Sequence, residues 1–286
     1  MHEYLELTKP RLASLVLVTT AAGVWLGLRT PQPFWLWAHA IIGTALVVGG
    51  ANALNQWWER ELDARMERTK RRPLPAGRLA PARALSFGIA LSVAGVLWLW
   101  LGTNGLAATL AAVSWITYVL VYTPLKRTTP LCTLIGAIPG ALPPLIGWTA
   151  ARGSLGLEGW TLFGILFAWQ LPHFLALAVM YRDDYARAGF SMLSLSNGDA
   201  TRRQIILYGA LLVPLSLFPT MVGLAGAGYF SGALILSGLF FAAAVRAVLR
   251  HSPAALRQLF RASIVYLPLL LILLAADRRP LLTGWP

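Results

Sequence analysis

Charged residues are scarce in this sequence. Only 12% of its 286 residues are Asp, Glu, Lys or Arg, whereas soluble domains carry about 25%. The deficit excludes an ordinary soluble globular protein and indicates that much of the surface faces lipid. Acidic residues are less than half as common as basic ones, which gives a net charge of +13. Because the basic residues lie between long apolar runs, this charge favours a membrane protein and no nucleic-acid partner.

Cysteine is nearly absent, since Cys132 is the only one. A single thiol excludes a disulfide framework and a paired-cysteine metal or redox motif. A cleavable signal sequence is not expected either, because residues 1–10 are polar and the apolar run after Arg11 has no convincing cleavage site. We therefore expect that run to stay in the protein as a first membrane span.

Long apolar runs, by contrast, are abundant. A membrane-spanning helix needs about 20 mainly apolar residues, and the sequence predicts an all-α, polytopic membrane protein with a single domain over residues 1–286. The nine predicted spans are 12–28, 35–57, 84–101, 105–123, 131–149, 159–181, 204–224, 228–249 and 261–277. Four residues are expected to break the fifth span, either around a ligand cavity or as a packing kink: Pro139, Gly140, Pro143 and Pro144.

The distribution of lysine and arginine predicts the orientation of these spans. If the N-terminus is cytoplasmic, 20 of the 24 basic residues lie on the cytoplasmic side, as membrane insertion favours. Nine of the 11 acidic residues lie on the same side, although acids contribute little to orientation. We therefore expect a cytoplasmic-facing site that uses both signs of charge.

Residues 52–72, at the end of the second span, combine amides, carboxylates and arginines. At about 100° per residue, four of them share one helical face: Asn52, Asn55, Glu59 and Asp63. The helix is expected to end at Pro73 and Pro75. A row of oxygen ligands suits Mg²⁺ bound to substrate phosphates, and the basic residues that follow can bind those phosphates: Arg65, Arg68, Lys70, Arg71 and Arg72.

A simpler interpretation of this segment is possible. The basic run can be a topology anchor, and the carboxylates can form ion pairs along an exposed helix face, for example Glu59 with Arg60 or Asp63 with Arg71. That interpretation does not explain Asn52 and Asn55 at the end of an apolar run, where polar groups are costly and usually functional. We therefore favour a site.

The spacing Asn55-x-x-x-Glu59-x-x-x-Asp63 resembles the NxxxDxxxD motif of the UbiA superfamily of intramembrane prenyltransferases, with Glu replacing the central Asp. Further stretches resemble its protoheme IX farnesyltransferase branch, in which a WQxPHF element is specific. They are Thr8-Lys9-Pro10-Arg11, Arg68-Thr69-x-x-Arg72-Pro73-Leu74, Tyr122-Thr123-Pro124-Leu125-Lys126-Arg127, Trp169-Gln170-x-Pro172-His173-Phe174 and Asp184-Tyr185-x-x-Ala188-Gly189-x-x-Met192-Leu193.

The resemblance implies a UbiA-type bundle around a central cavity. It implies transfer of the farnesyl group of farnesyl diphosphate to a vinyl group of heme b, with addition of water, to give heme O and diphosphate. Implied partners are these substrates and the lipid bilayer, with a heme A synthase or terminal oxidase assembly as a candidate protein partner. Implied metal ligands for Mg²⁺ are Asn55, Glu59 and Asp63; catalytic residues are Asn52, Arg68, Arg72 and His173; substrate-binding residues are Arg65, Lys70, Arg71, Lys126, Arg127, Asp184 and Tyr185.

The second charged loop departs from the superfamily pattern. Asp183 and Asp184 are adjacent, and Arg187 and Ala188 stand where a second DxxxD motif would place its partner carboxylate. The ligands of a second metal ion therefore stay open, as does the number of ions.

His173 lies in an apolar run beside Pro172. A histidine within a membrane span is usually functional, and a neutral imidazole can ligate heme iron or orient the acceptor. The alternative is a buried histidine that donates to a backbone carbonyl left free by the proline. His2, His39 and His251 lie near span ends or tails and are not assigned to a site.

Two other functions stay open. One is a UbiA-type prenyltransferase acting on an aromatic or quinone precursor, which the WQxPHF element and the missing second DxxxD disfavour. The other is a transporter or lipid-handling protein that uses the charged loop to bind headgroups, for which no clear inverted repeat is visible.

Overall fold

The computed structural model describes residues 1–30, 32–191, 193–250 and 252–279. In this part of the chain nine helices are long and apolar enough to cross a membrane. They are α2 (Pro10–Gly27), α3 (Phe34–Asp63), α4 (Pro81–Gly102), α5 (Gly105–Ile116) continued by a π-helical segment (Thr117–Tyr122) and α6 (Thr123–Leu125), α7 (Cys132–Arg152), α8 (Leu157–Met180), α11 (Gly198–Met221), α12 (Ala227–Arg250) and α13 (Pro253–Ala276). The predicted all-α, multi-span fold is confirmed.

Short helices lie at one end of the bundle. They are α1 (His2–Thr8), α9 (Arg182–Ala188) and α10 (Leu193–Ser196). The same end carries the connecting segments 64–80, 126–131 and 181–197, and we call it the charged end. Met192 of the predicted motif and His251 lie outside the described residues.

Helices α2 and α7 form the centre of the bundle, because two hydrophobic cores share them. One core joins them to α3, α4 and α5, and the other joins them to α8, α11, α12 and α13. Small residues allow the two central helices to approach closely: a Cβ on Gly23 would lie 1.9 Å from the Pro144 carbonyl oxygen. A Cβ on Gly147 would lie 2.0 Å from the Thr20 carbonyl oxygen. Close packing of small residues is a main source of helix association in lipid.

The prediction that the second helix continues to Pro73 and Pro75 was wrong. Helix α3 ends at Asp63, ten residues before Pro73, and the chain continues in turns. Two contacts replace the helical continuation: the Thr69 hydroxyl donates to the Asp63 carbonyl at 2.8 Å, and Leu74 packs with Leu7 in a small core. The turns bring the basic residues back over the end of α3 instead of carrying them away from it.

The prolines predicted to break the fifth span do not interrupt it, because α7 is continuous through all three. Pro143 has no backbone N–H, so the Pro139 carbonyl loses its helical partner. The Ser114 hydroxyl of α5 donates to that carbonyl at 3.1 Å and restores a hydrogen bond. Tertiary packing therefore compensates for the missing donor.

Two other helices begin earlier than their predicted spans. Helix α11 starts at Gly198 because the Asn197 side chain accepts from the Ala200 amide at 2.8 Å. Helix α13 starts at Pro253, where Ser252 caps it by accepting from the Ala255 amide at 3.2 Å. Such caps satisfy amides that have no partner within the helix.

Candidate active site

The last three turns of α3 carry the amide and carboxylate stripe. All four of its residues are buried, with exposures of 1–4%: Asn52, Asn55, Glu59 and Asp63. They belong to one continuous helix and do not form the local ion pairs of the simpler interpretation, since Arg60 pairs with Glu61. Their partners come instead from other parts of the chain.

The side-chain oxygens of Asn55, Glu59 and Asp63 each face a cation from a different segment of the chain. Arg72 Nη1 lies 2.7 Å from Asp63 Oδ2, and Lys126 Nζ lies 2.7 Å from Glu59 Oε1. The third cation, Lys9, donates from Nζ to Asn55 Oδ1 at 3.2 Å. We call these six residues the polar cluster: Lys9, Asn55, Glu59, Asp63, Arg72 and Lys126.

Lys9 belongs to the Thr8–Arg11 stretch that resembles the family, but it was not predicted as a site residue. Lys9 joins α1 to α2 with a φ of 51°, the only non-glycine residue with a positive φ in the described part of the chain. Such a conformation costs about 1–3 kcal/mol and persists where the surroundings enforce it. Burial, with the positive charges of Arg72 and Lys126 nearby, lowers the pKa of the Lys9 ammonium to about 7. The one available sequence signal was a lysine immediately before the proline that opens the first span.

Two side chains of α3 hold α1 over the cluster. The Asn52 amide donates to the Thr8 carbonyl at 3.0 Å, and the Gln56 amide donates to the Leu7 carbonyl at 2.8 Å. Asn52 is therefore a neighbour of the cluster that fixes the backbone next to Lys9. Its predicted part in catalysis stays a prediction.

Lys126 follows the π-helical segment and lies within the cluster. Burial alone would lower its pKa, but the carboxylate of Glu59 outweighs this and raises the pKa above the ordinary value for lysine. Its ammonium also lies 4.6 Å from the ring centroid of Tyr122. The Asn55 amide donates to Thr123 Oγ1 at 3.2 Å, which attaches the same segment to α3. One-turn π segments are frequent at functional sites.

The donor set fits Mg²⁺. It offers two carboxylates and one amide oxygen, the oxygen ligands that this ion takes together with water and substrate phosphates. Asp63 Oδ1 is buried without a hydrogen-bond partner among the described residues, which leaves one oxygen free to ligate. Among the described residues, no three His, Cys, Asp or Glu side chains lie together so that they could hold a metal. The third protein ligand would therefore be Asn55.

A second set of predicted residues meets beside the cluster. The Arg68 guanidinium donates to the Tyr185 hydroxyl at 3.3 Å and lies 4.9 Å from the ring centroid of Tyr181. This contact joins segment 64–80 to the segment after α8. Asp184 pairs with Arg187 on its own helix.

The remaining predicted cations are exposed. Lys70 pairs with Glu67 at the surface, and Arg65, Arg71 and Arg127 are also exposed. Of the predicted substrate-binding residues, the structure therefore places Lys126 in the polar cluster, Asp184 and Tyr185 partly buried beside it, and the other four at the surface.

His173 lies apart from the polar cluster contacts, between α8 and α13. Its ring stacks between Trp169, at a centroid distance of 5.2 Å, and Phe260, at 4.8 Å. Its Nδ1 atom lies 2.7 Å from the Ser263 hydroxyl. We call Trp169, His173, Phe260 and Ser263 the histidine group. The partner of Nδ1 is therefore the Ser263 side chain, and not the freed backbone carbonyl that the alternative interpretation predicted.

Relatives of known name cover almost the whole chain. The protoheme IX farnesyltransferase of Solibacter usitatus (strain Ellin6076) is 48% identical over 97% of this chain and 99% of its own. That of Myxococcus xanthus (strain DK1622) is 44% identical over 97% and 95%.

Solved structures agree on the fold. A digeranylgeranylglyceryl phosphate synthase has a TM-score of 0.83 at 17% identity and covers 96% of this chain and 97% of its own. A UbiA homologue from Archaeoglobus fulgidus, bound to DMAPP and Mg²⁺, has a TM-score of 0.68 at 16% identity and covers 96% and 99%. The model of the UbiA prenyltransferase family matches residues 16–269. The chain therefore belongs to the UbiA prenyltransferase family.

Proposed function

We propose that the protein transfers the farnesyl group of farnesyl diphosphate to a vinyl group of heme b, with addition of water, to give heme O and diphosphate. The observation that carries the proposal is the polar cluster, in which three buried oxygen-bearing side chains pair with three partly buried cations at the end of apolar helices. The names of relatives that are 44–48% identical supply the acceptor, heme b.

The cluster suits a metal–diphosphate. The oxygens of Asn55, Glu59 and Asp63 would hold Mg²⁺, which would supply positive charge to stabilise the diphosphate leaving group. The Archaeoglobus homologue, which is bound to DMAPP and Mg²⁺, supports this choice of metal. The three ammonium and guanidinium groups now paired with those oxygens would turn to the diphosphate oxygens.

The cations would carry the main catalytic effect on the farnesyl side. The bond between C1 of the farnesyl chain and the diphosphate oxygen breaks, and the electron pair leaves with diphosphate. Arg72, Lys126 and Lys9 would stabilise the developing negative charge on the diphosphate, and stabilisation of this kind is usually the largest catalytic effect. Arg68, held over Tyr181 and Tyr185, would approach the same diphosphate from segment 64–80. The Tyr122 ring beside Lys126 offers an aromatic face to the allylic cation.

The acceptor side requires a carbon nucleophile. A heme vinyl carbon bonds to C1 of the farnesyl chain, and water adds to the resulting cation and loses a proton, which leaves a hydroxyethylfarnesyl group. The aromatic walls and imidazole of the histidine group suit a flat porphyrin. Asp184, Tyr185 and Arg127, on the segments beside Arg68 and Lys126, would border it at the charged end.

The charged end would face the cytoplasm, and the protein would lie in the cell membrane. The asymmetry of Lys and Arg supports this orientation, since 20 of 24 lie on that side of the spans. Docking of a heme A synthase or a terminal oxidase assembly stays a prediction.

One incubation tests the proposal. The purified full-length protein in detergent is combined with heme b, farnesyl diphosphate and Mg²⁺, and the heme is analysed by mass spectrometry. We expect a mass gain of one farnesyl group plus water, loss of this product with EDTA, and its return with added Mg²⁺. Unmodified heme, with prenylation of hydroxybenzoate or a naphthoate in a parallel incubation, would replace the proposal with the aromatic-acceptor alternative.

A further inference from the structure

The Ser263 side chain makes two short contacts in a buried position. It is fully buried in α13, its hydroxyl donates to the Phe260 carbonyl at 2.6 Å, and its oxygen lies 2.7 Å from His173 Nδ1. A serine hydroxyl has one hydrogen to donate. The Ser263 oxygen must therefore donate its hydrogen in one of these contacts and accept a hydrogen in the other.

The roles follow from the partners. A carbonyl oxygen only accepts, so the single hydroxyl hydrogen must lie between Ser263 and Phe260; otherwise two oxygens would face each other at 2.6 Å without a proton. The Ser263 oxygen must then accept from His173, which places a proton on Nδ1. In a neutral imidazole the other nitrogen, Nε2, keeps its lone pair.

The surrounding contacts fix the orientation of the ring as well as its tautomer. Trp169 and Phe260 both stack on the imidazole, at interplanar angles of 23° and 26°. The Trp169 indole donates to the Ser263 carbonyl at 2.8 Å, so this ring and the hydrogen-bond acceptor are connected to each other. The imidazole is held at Nδ1 and by two stacked rings.

We propose that Ser263 is a positioning residue that holds His173 with its Nε2 lone pair directed at the iron of the acceptor heme. The inference rests on the proposed function and deepens it. A hydrogen-bond acceptor at Nδ1 orients a ligating imidazole and raises the basicity of the nitrogen that binds the metal. Heme held in this way keeps one vinyl group in a constant position relative to the farnesyl C1 atom.

The test compares three substitutions at one position: Ser263→Ala removes the acceptor, Ser263→Cys keeps the volume with a weak acceptor, and Ser263→Thr keeps the hydroxyl. We expect kcat for heme O formation to fall about 10- to 100-fold in the first two, the usual cost of losing such a partner. The threonine variant should retain most of the activity, and the KM for farnesyl diphosphate should stay unchanged in all three.

A spectroscopic readout separates positioning from packing. With ferrous heme b bound, the iron–histidine stretching band should move to lower frequency in Ser263→Ala and Ser263→Cys and disappear in His173→Ala. The matched control is Ser237→Ala in α12, because Ser237 is equally buried and donates only to carbonyls of its own helix. It should change neither kcat nor the band.

Three results would overturn the inference: wild-type kcat in Ser263→Ala or Ser263→Cys, an unchanged or absent iron–histidine band across the wild type and these variants, or an equal loss in Ser237→Ala. Each is distinct from failure of the proposed function, which would appear as a wild-type protein that makes no heme O.

Discussion

The polar cluster and the histidine group are built in different ways. In the cluster the oxygens lie on one span, α3, whereas all three cations lie outside the spans, on the α1–α2 junction, segment 64–80 and segment 126–131. In the histidine group both sides lie within spans, on α8 and α13, and they meet through stacked rings and hydrogen bonds. The cluster is joined by charge across connecting segments, and the group by packing between rigid helices.

This difference matches two tasks. A cation on a turn can exchange a carboxylate for a phosphate with a small rotation, so the cluster can bind and release a charged group. An imidazole stacked on two aromatic rings cannot adjust in this way, so the histidine group suits an acceptor that must always take the same position. The predictions below test this contrast, from the largest expected effect to the smallest.

The strongest test replaces Asp63 with asparagine. The change keeps the shape but removes one anionic oxygen and the ion pair with Arg72. We expect heme O formation to fall by at least about 100-fold, since charge at the reacting centre contributes most to such catalysis, while the protein stays folded in membranes. Glu61→Gln is the control, because Glu61 is exposed on the same helix and pairs only with Arg60. Wild-type turnover in Asp63→Asn would remove Asp63 from the metal site.

His173→Ala should impair the histidine group and leave the polar cluster unaffected. We expect heme O formation to fall about 100-fold through loss of acceptor orientation, with unchanged binding of farnesyl diphosphate measured by calorimetry. His39→Ala, a histidine in another span that contacts Trp98, serves as control. Weakened diphosphate binding in His173→Ala would show that the two are coupled and would contradict the contrast drawn above.

Lys9→Gly tests whether backbone strain at the cluster serves binding. Glycine adopts the positive φ of Lys9 without cost, so the thermal midpoint of unfolding should hold or rise, while the KM for farnesyl diphosphate should increase about tenfold because one charge-assisted contact is lost. Lys70→Ala, at an exposed lysine paired with Glu67, should leave KM unchanged. A fall in thermal midpoint together with an unchanged KM would make Lys9 a purely structural residue.

Gly140→Ala should disturb the region of the histidine group and leave the polar cluster unaffected. A Cβ there would lie 2.0 Å from Gln170 Oε1, so the Gln170 side chain between α7 and α8 would have to move, which would disturb its hydrogen bonds to the Ala137 and Leu166 carbonyls. We expect a lower thermal midpoint and a few-fold lower kcat, with unchanged KM for farnesyl diphosphate, because overpacking costs about 1–3 kcal/mol. Gly238→Ala on α12, where a Cβ meets nothing within 4 Å, is the matched control. Equal effects of both substitutions would exclude the α7–α8 contact as their cause.

The sequence predicted most of the fold, because apolar length and helical periodicity are local properties. The nine spans and the placement of Asn52, Asn55, Glu59 and Asp63 within one helix needed no tertiary information. The errors arose where tertiary contacts replace local rules. Ser114 supports α7 at Pro139, and Thr69 turns the chain at Asp63, and neither partner can be identified from spacing.

The site was predictable in its residue types and not in its pairings. A carboxylate stripe followed by arginines is visible in the sequence, but the pairing of Glu59 with Lys126 joins residues that are 67 positions apart. Lys9 and Ser263 were missed for the same reason, since one follows a short helix and the other is an ordinary serine in an apolar span. The roles of all these residues stay predictions until the variants are measured.

The close approach of α2 and α7 also constrains the order in which the spans can pack during synthesis. Of these nine spans α2 is synthesised before the others, yet the surface that contains Gly23 and Gly27 packs on the fifth span, and the Trp25 indole donates to the Ala275 carbonyl at the end of the ninth. During synthesis this surface of α2 must therefore stay uncovered in the bilayer until α7 is inserted. The contact of Trp25 can form only when α13 has been inserted as well.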